Sequence, residues 1–176
     1  IIDTVELSCR FKTANFDLLG LIYQCVAFKD NDLIIIDRQN RTISAIYGTH
    51  EDLKSNSDVK FFMILTSNVF YFPLGLEKFS SNIEAIGIKE TGLKEIRQSD
   101  LEHLTKLKYL YLAFNDIEVL ERDLFEFNPH LETIIIHSNI ISHIDPNIFD
   151  KFVNKLSVLY LRFNICQLSA AWGDKK

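Results

Sequence analysis

One phrase of alternating apolar and polar positions recurs through the second half of the chain. Aliphatic or aromatic residues occupy the first, fourth, sixth and eleventh places of five segments that begin at Val59, Ile83, Leu107, Leu131 and Leu156, with Cys166 closing the last. Successive starts lie 24, 24, 24 and 25 residues apart. The fourth and sixth places have the two-residue period of a strand, so each segment is predicted to form a short strand with those side chains turned to a core. Neighbouring segments then supply parallel strand partners. A second apolar set follows on each return limb: Phe72 with Leu76 and Phe79, Ile96 with Leu101 and Leu104, Leu120 with Leu124 and Phe125, Ile144 with Ile148 and Phe149. Asp100, Asp123 and Asp145-Pro146 stand near the starts of three limbs. Asp caps a short helical turn and Pro suits its first residue, so these limbs are predicted as short helical or 3-10 turns.

The ninth place carries the polar exception: Ser67, Thr91, Asn115, Asn139 and Asn164. A chain that turns sharply at the end of a strand strands backbone N–H and C=O groups in an apolar interior, at about 1–3 kcal/mol for each one left unpaired. An Asn amide both donates and accepts, so it can serve those groups in its own coil and the next. Ser67 and Thr91 offer only a hydroxyl, and the first two coils are expected to be less regular at this turn.

Residues 1–58 lack the repeat. Strands are expected at Ile22 to Phe28, Leu33 to Asp37 and Thr42 to Tyr47, followed by the polar connector "THEDLKSNSD". A stack of coils exposes a slice of core at its first coil unless something covers it, so this stretch reads as a β-rich N-terminal cap. The organisation expected is one domain over 1–176: the cap at 1–58, five repeats at 59–166 and a short C-terminal tail at 167–176.

The five segments match L-x-x-L-x-L-x-x-N-x-L, the consensus of leucine-rich repeats, with a period inside the 20 to 29 residues those repeats use. They resemble the extracellular repeats of Toll-type receptor ectodomains. The phrase "DLFEFNPHLETIIIHSNIISHI" is similar to secreted leucine-rich-repeat proteins of dipteran insects, some of which act in innate immunity. The resemblance implies an α/β solenoid: a right-handed coil with a curved parallel sheet on its concave face, helical or 3-10 turns on its convex face, a protein-binding role and no catalysis. The closing "LYLRFNIC" looks like the start of a cysteine-bearing C-terminal cap. The chain departs from that pattern, because no cysteine follows Cys166 and residues 1–58 lack the usual four-cysteine cluster.

On the strands, the third, fifth, seventh and eighth places face away from the core and line the concave surface. They include Phe61, Met63 and Leu65; Tyr109, Tyr111 and Phe114; Ile135 and His137; and Tyr160, Arg162 and Phe163. A contiguous apolar surface of this kind signifies contact with something. Tyr and Arg dominate interface energetics, which makes Tyr109, Tyr111, Tyr160 and Arg162 the leading protein-binding candidates. For Phe61, Met63 and Leu65 a second reading stands beside the first, in which the N-terminal cap packs over them.

The remaining composition narrows the compartment and the chemistry. With 47% hydrophobic residues in 176, the chain has ample material for a core. Net charge is −5 and no dense Lys/Arg cluster occurs, which argues against nucleic acid. No apolar run approaches the ~18 residues a membrane span requires, so no membrane insertion is expected of this chain. It begins at Ile1 without a basic leader stretch, and any secretory signal is expected to be already removed or never present. Cys9 and Cys25 enclose 15 residues. Bridging them would stabilise by about 3 kcal/mol and fits an oxidising compartment, the alternative being two reduced buried thiols. Asn40-Arg41-Thr42 is a glycosylation sequon and points the same way. Cys166 reads either as a small core residue or as an intermolecular disulfide partner. The histidines His50, His103, His130, His137 and His143 fall at no metal-ligand spacing, and no nucleophile or phosphate-loop motif occurs. The expectation is therefore a secreted, extracellular recognition module without cofactor, metal or catalytic residues. It would bind a protein ligand on its concave face and could pair as a homo- or heterodimer through its C-terminal end. The alternatives are an apolar small-ligand or lipid carrier and a truncated receptor ectodomain.

Overall fold

The computed structural model describes residues 4–16, 18–28 and 33–165, so Cys166 and the tail lie outside the described residues. Its first element is the long strand β1, Val5–Phe16, which the sequence reading missed. The signal was there: Val5, Leu7, Cys9 and Phe11 alternate with Glu6, Ser8, Arg10 and Lys12, the two-residue period of a half-buried strand. β1 forms an antiparallel hairpin with β2, Gly20–Phe28. Within it Cys9 and Cys25 form a disulfide with Cα atoms 5.3 Å apart. β3, Ile35–Ile36, and β4, Ile43–Tyr47, complete the capping segment, with β4 lying parallel to β1 at the sheet edge.

The repeats supply β5, Phe61–Leu65, the short β6, Asn68–Val69, β7, Ala85–Lys89, and β8, Tyr109–Tyr111. They continue with β9, Val119–Leu120, β10, Thr133–Ile135, β11, His143–Ile144, and β12, Val158–Tyr160. One eight-stranded sheet runs β12-β10-β8-β7-β5-β2-β1-β4. β2 is parallel to β5, with Gln24 opposite Phe61 and Ala27 opposite Ile64. The capping segment thus extends the parallel sheet by one more strand and then ends it with the antiparallel β1 and the edge strand β4.

The fold is a leucine-rich-repeat solenoid. Its core is the fourth and sixth places of each coil: Phe62 and Ile64, Ile86 and Ile88, Leu110 and Leu112, Ile134 and Ile136 are all fully buried. Burial of each is worth about 1.5–3 kcal/mol. The same places in the last coil, Leu159 and Leu161, are only partly buried and pack on this core from one side. The convex limbs hold single helical turns, α1 at Leu76–Phe79 and α2 at Gln98–Leu101. They also hold extended pairs: β3, within the strand expected at Leu33 to Asp37, pairs with β6, and β9 pairs with β11, while β6, β9 and β11 are absent from the sequence reading. Asp100 accepts the Arg97 N–H at 2.8 Å and so closes the start of its turn. Asp145 does the same for Asn147 N–H at 2.9 Å.

Each strand ends at a residue with left-handed backbone. Thr66, Glu90, Phe114, Ser138 and Phe163, all at the eighth place, have φ between 46° and 60°. Non-Gly residues adopt this region uncommonly, and bulky ones more rarely still. Five-fold recurrence makes it the device that turns the chain out of the sheet and, in all but the first coil, swings the ninth side chain inward. Four residue types fill this place in the five coils, so no sequence signal marks it.

Candidate functional site

At the ninth place the Asn residues form a ladder between coils. Asn115 Nδ2 donates to Ile88 O at 2.8 Å and to Leu112 O at 3.1 Å, while its Oδ1 accepts from Thr91 N, Leu93 N and Thr91 Oγ1 at 3.1, 3.2 and 3.0 Å. Asn139 donates to Leu112 O and Ile136 O at 2.9 and 3.2 Å and accepts from Ile117 N at 3.1 Å. Asn164 repeats the set with Ile136 O, Leu161 O and Ile141 N. The sequence reading had each Asn serving its own coil and the next, and the direction is reversed. Each serves its own coil and the preceding one, because the left-handed residue before it aims the amide toward the N-terminal neighbour. Thr91 Oγ1 reaches back only to Val69 O, at 3.3 Å. Ser67 bonds just its own Leu65 O, at 3.2 Å, and is solvent-accessible.

The concave face divides into a covered half and an open half. The β1–β2 hairpin curls over the first coils, and Phe16 meets the rings of Phe61 and Tyr109 edge-on with centroids 4.8 and 5.4 Å apart. Ile22, Phe61, Met63, Ala85 and Tyr109 form a second buried cluster on this side of the sheet, with Phe16, Leu19 and Val26 packed against it. Of the protein-binding candidates, Phe61 and Met63 follow the second reading, under the cap, and Tyr109 is corrected to join them. Phe61 is 0% exposed, Met63 7% and Tyr109 5%, so all three are intramolecular core and not contact surface. Gly87 makes room for this packing, since a Cβ there would overlap the Met63 sulfur.

Beyond the hairpin lies a half-open hollow of about 650 Å³. Phe16 and Leu18 form one wall, Met63 and Tyr109 its covered end, and Leu65, Lys89, Tyr111, Ile135, His137 and Tyr160 the remainder. Parallel pairing puts Tyr111, Ile135 and Tyr160 in line across β8, β10 and β12. His137 sits among rings, 4.9 Å from Phe114 and 4.8 Å from Tyr160 between centroids, with Nδ1 3.0 Å from Ser138 Oγ. Burial lowers its pKa, and the nearby Lys89 charge lowers it further. Along the strand exits Lys89 Nζ lies 5.3 Å from the Phe114 ring and the Arg162 guanidinium 5.6 Å from the Phe163 ring. Both rings are solvent-facing, Phe114 at 44% and Phe163 at 72% exposure.

The strand starts carry a different pattern, a charge ladder at the second place of the first four repeats. Glu84 lies between Lys60, at 3.0 Å, and Lys108, at 2.9 Å. Burial pushes the Glu84 carboxyl up, but the two lysine hydrogen bonds outweigh it and hold its pKa below the ordinary value. On the convex side Arg41 of the capping segment pairs with the buried Asp100 at 2.9 Å. Burial raises the Asp100 pKa against the opposing pull of the Arg97 N–H and Arg41. Neither set was picked out from sequence. Among the described residues no group of His, Cys, Asp and Glu side chains could hold a metal ion, and no helix is long and apolar enough to cross a membrane. Asn40, the sequon residue, is partly buried in a turn where its N–H donates to Asp37 at 2.8 Å.

Solved structures share this architecture. A crystal structure of the APL1 leucine-rich repeat domain aligns with a TM-score of 0.56 and 20% identity, over 90% of this chain and 43% of that one. A TLR13–ssRNA13 complex aligns with a TM-score of 0.53 and 18% identity, over 74% of this chain and 20% of that one. The chain therefore spans less than half the length of either. No family model matches, and no curated protein matches by sequence.

Proposed function

We propose that this chain is an extracellular recognition module that binds a protein partner on the open half of its concave face. One observation carries the reading: Tyr111, Ile135, His137 and Tyr160 form a continuous, partly exposed apolar surface with a cationic rim, beside a half sealed by the chain's own hairpin. Rigid aromatic side chains with polar tips are the residues that anchor protein interfaces. The Cys9–Cys25 disulfide supports an oxidising setting. Carbohydrate at Asn40, and a role in insect defence drawn from the dipteran resemblance, extend the same proposal, as does pairing through the C-terminal end. A photo-crosslinking residue at Tyr160, exposed to extracellular fluid, should yield a discrete protein adduct that Ile135→Glu removes. An adduct indifferent to Ile135→Glu, or none, would overturn this reading.

The hollow favours a second reading, an apolar small ligand held between Phe16 and Tyr160. Native mass spectrometry of protein purified from its secreting cells tests it: a retained small molecule supports a carrier, and an empty chain counts against one.

A further inference from the structure

We propose that the open half of the hollow recognises an extended acidic segment of the protein partner, with one large apolar side chain flanked on both sides by carboxylates. The proposal rests on the reading that the concave face is the binding face, and names the chemistry that face selects. The whole chain is acidic, with a net charge of −5. The hollow inverts this: its lining holds Lys89 and His137 and no carboxylate. Both sit at the seventh place of their repeats, and Arg162 occupies that place in the last coil. The exits of the second and fifth coils therefore each carry a cation, with the His137 ring, whose pKa burial lowers, between them. Arg162 has no carboxylate partner among the described residues, its guanidinium resting only on the exposed Phe163 ring at 5.6 Å.

Lys89 does have a partner, Glu90 Oε1 at 3.1 Å, with the two side chains 32% and 48% exposed. A pair so open to water is weak and exchangeable. The left-handed backbone at Glu90, φ 55°, keeps that carboxylate on the outer rim, off the floor of the hollow. Glu90 is thus an internal counter-ion that an incoming carboxylate replaces.

The spacing fixes the ligand. Lys89 exits β7 and Arg162 follows β12, three strand steps away in the sheet order. At about 4.8 Å per step the two cations stand on the order of 14 Å apart. An extended peptide crossing the strands advances about 3.3 Å per residue, so carboxylates four residues apart reach both. The residue midway between them then lies over Tyr111, Ile135 and Tyr160. The ligand pattern is acidic-x-apolar-x-acidic.

Four blocked peptides test this by NMR titration of the full chain: Gly-Glu-Gly-Phe-Gly-Glu-Gly, its double Gln and double Lys counterparts, and its Phe→Ser counterpart. The Glu peptide should bind roughly tenfold tighter than the Gln peptide, as expected for two solvent-screened ion pairs. The Lys and Ser peptides should bind more weakly still. Lys89→Met with Arg162→Met should erase the Glu-over-Gln preference, and Glu90→Gln should strengthen binding of the Glu peptide. Equal affinity for the Glu and Gln peptides, a preference that survives the double Met variant, or no peptide binding at millimolar concentration overturns the proposal. If all peptides bind alike but Ile135→Glu abolishes them, the concave binding face stands and only the acidic specificity falls. If Ile135→Glu leaves the Glu peptide bound, the concave reading falls too.

Discussion

Truncating the ninth-place amides one at a time should cost stability in the order Asn115, then Asn139, then Asn164. The hydrogen bonds set the order. Asn115 Oδ1 takes two backbone donors, Thr91 N and Leu93 N, and shares the single Thr91 hydroxyl proton with Val69 O, in a buried setting. Asn139 is as buried but takes one donor, Ile117 N. Asn164 also takes one, Ile141 N, and lies in the half-covered last coil. The carbonyls discriminate less, because Leu112 O and Ile136 O each accept from two successive Asn residues and keep one when the other is lost. At about 1–3 kcal/mol for each buried group left unpaired, Asn115→Ala should cost roughly 4 kcal/mol, Asn139→Ala roughly 2–3 and Asn164→Ala roughly 1. Urea unfolding measures these values. For Asn115→Ala a fall in slope is also expected, since severing the ladder between the second and third coils uncouples the two ends of a solenoid. Amide exchange gives a local check: Leu93 should lose protection in the Asn115 variant and Ile117 in the Asn139 variant. A cost near 1 kcal/mol for Asn115→Ala, or the reverse order, would show that water serves these groups and that the ladder is dispensable.

Three further outcomes follow from the capping segment and the charge ladder. Gly48→Ala should destabilise by about 3 kcal/mol in thermal unfolding, because φ is +152° there and the new Cβ would run into the Cys9 carbonyl and the Phe11 ring; an unchanged Tm would refute the placement of β4 against β1. Phe16→Ser should uncover Phe61 and Tyr109, costing about 2–3 kcal/mol and raising binding of a dye that reports exposed apolar surface; no rise would mean the hairpin does not cover that half. Glu84 has a lowered pKa, so its contribution is fully present above the ordinary carboxylate value of 4.5 and is lost as pH falls through its folded value. Glu84→Gln should therefore be less stable than the parent at neutral pH and flatter in its acid dependence, and parallel pH profiles would contradict the assignment.

The coils were legible because the fourth and sixth places obey one period in all five copies, and the packing that follows involves only neighbours 24 residues away. The hairpin cover was not. Its decisive contact joins Phe16, in the unremarkable stretch "NFDLLG", to Tyr109, and nothing local distinguishes a Phe at a loop from one that folds over a distant sheet. That is why Tyr109 ranked as a binding residue when its ring is core. The strands expected at Ile22 to Phe28, Leu33 to Asp37 and Thr42 to Tyr47 coincide with β2, β3 and β4, and only β1, whose alternation is as clean, went unread. The opposite charges of Lys60, Glu84, Lys108 and Glu132 were equally available, since all stand at the second place of successive copies.

The capping segment also decides which part of the concave face stays open. A leucine-rich coil offers the same outward places on every strand, so repetition alone gives no reason for one stretch of the concave face to differ from another. Here the difference comes from the cap. β2 joins the parallel sheet as an extra strand, and the hairpin it shares with β1 is long enough for its end to reach the third repeat at Tyr109. Burying Phe61, Met63 and Tyr109 adds to the core that holds the cap in place, and the same contact ends the open fifth-place row at Tyr111. The hairpin wall of Phe16 and Leu18 then turns an otherwise open strip into a hollow with a closed end. A single tertiary contact thus stabilises the first coils, fixes one boundary of the hollow and leaves Tyr111, Ile135 and Tyr160 as its accessible floor.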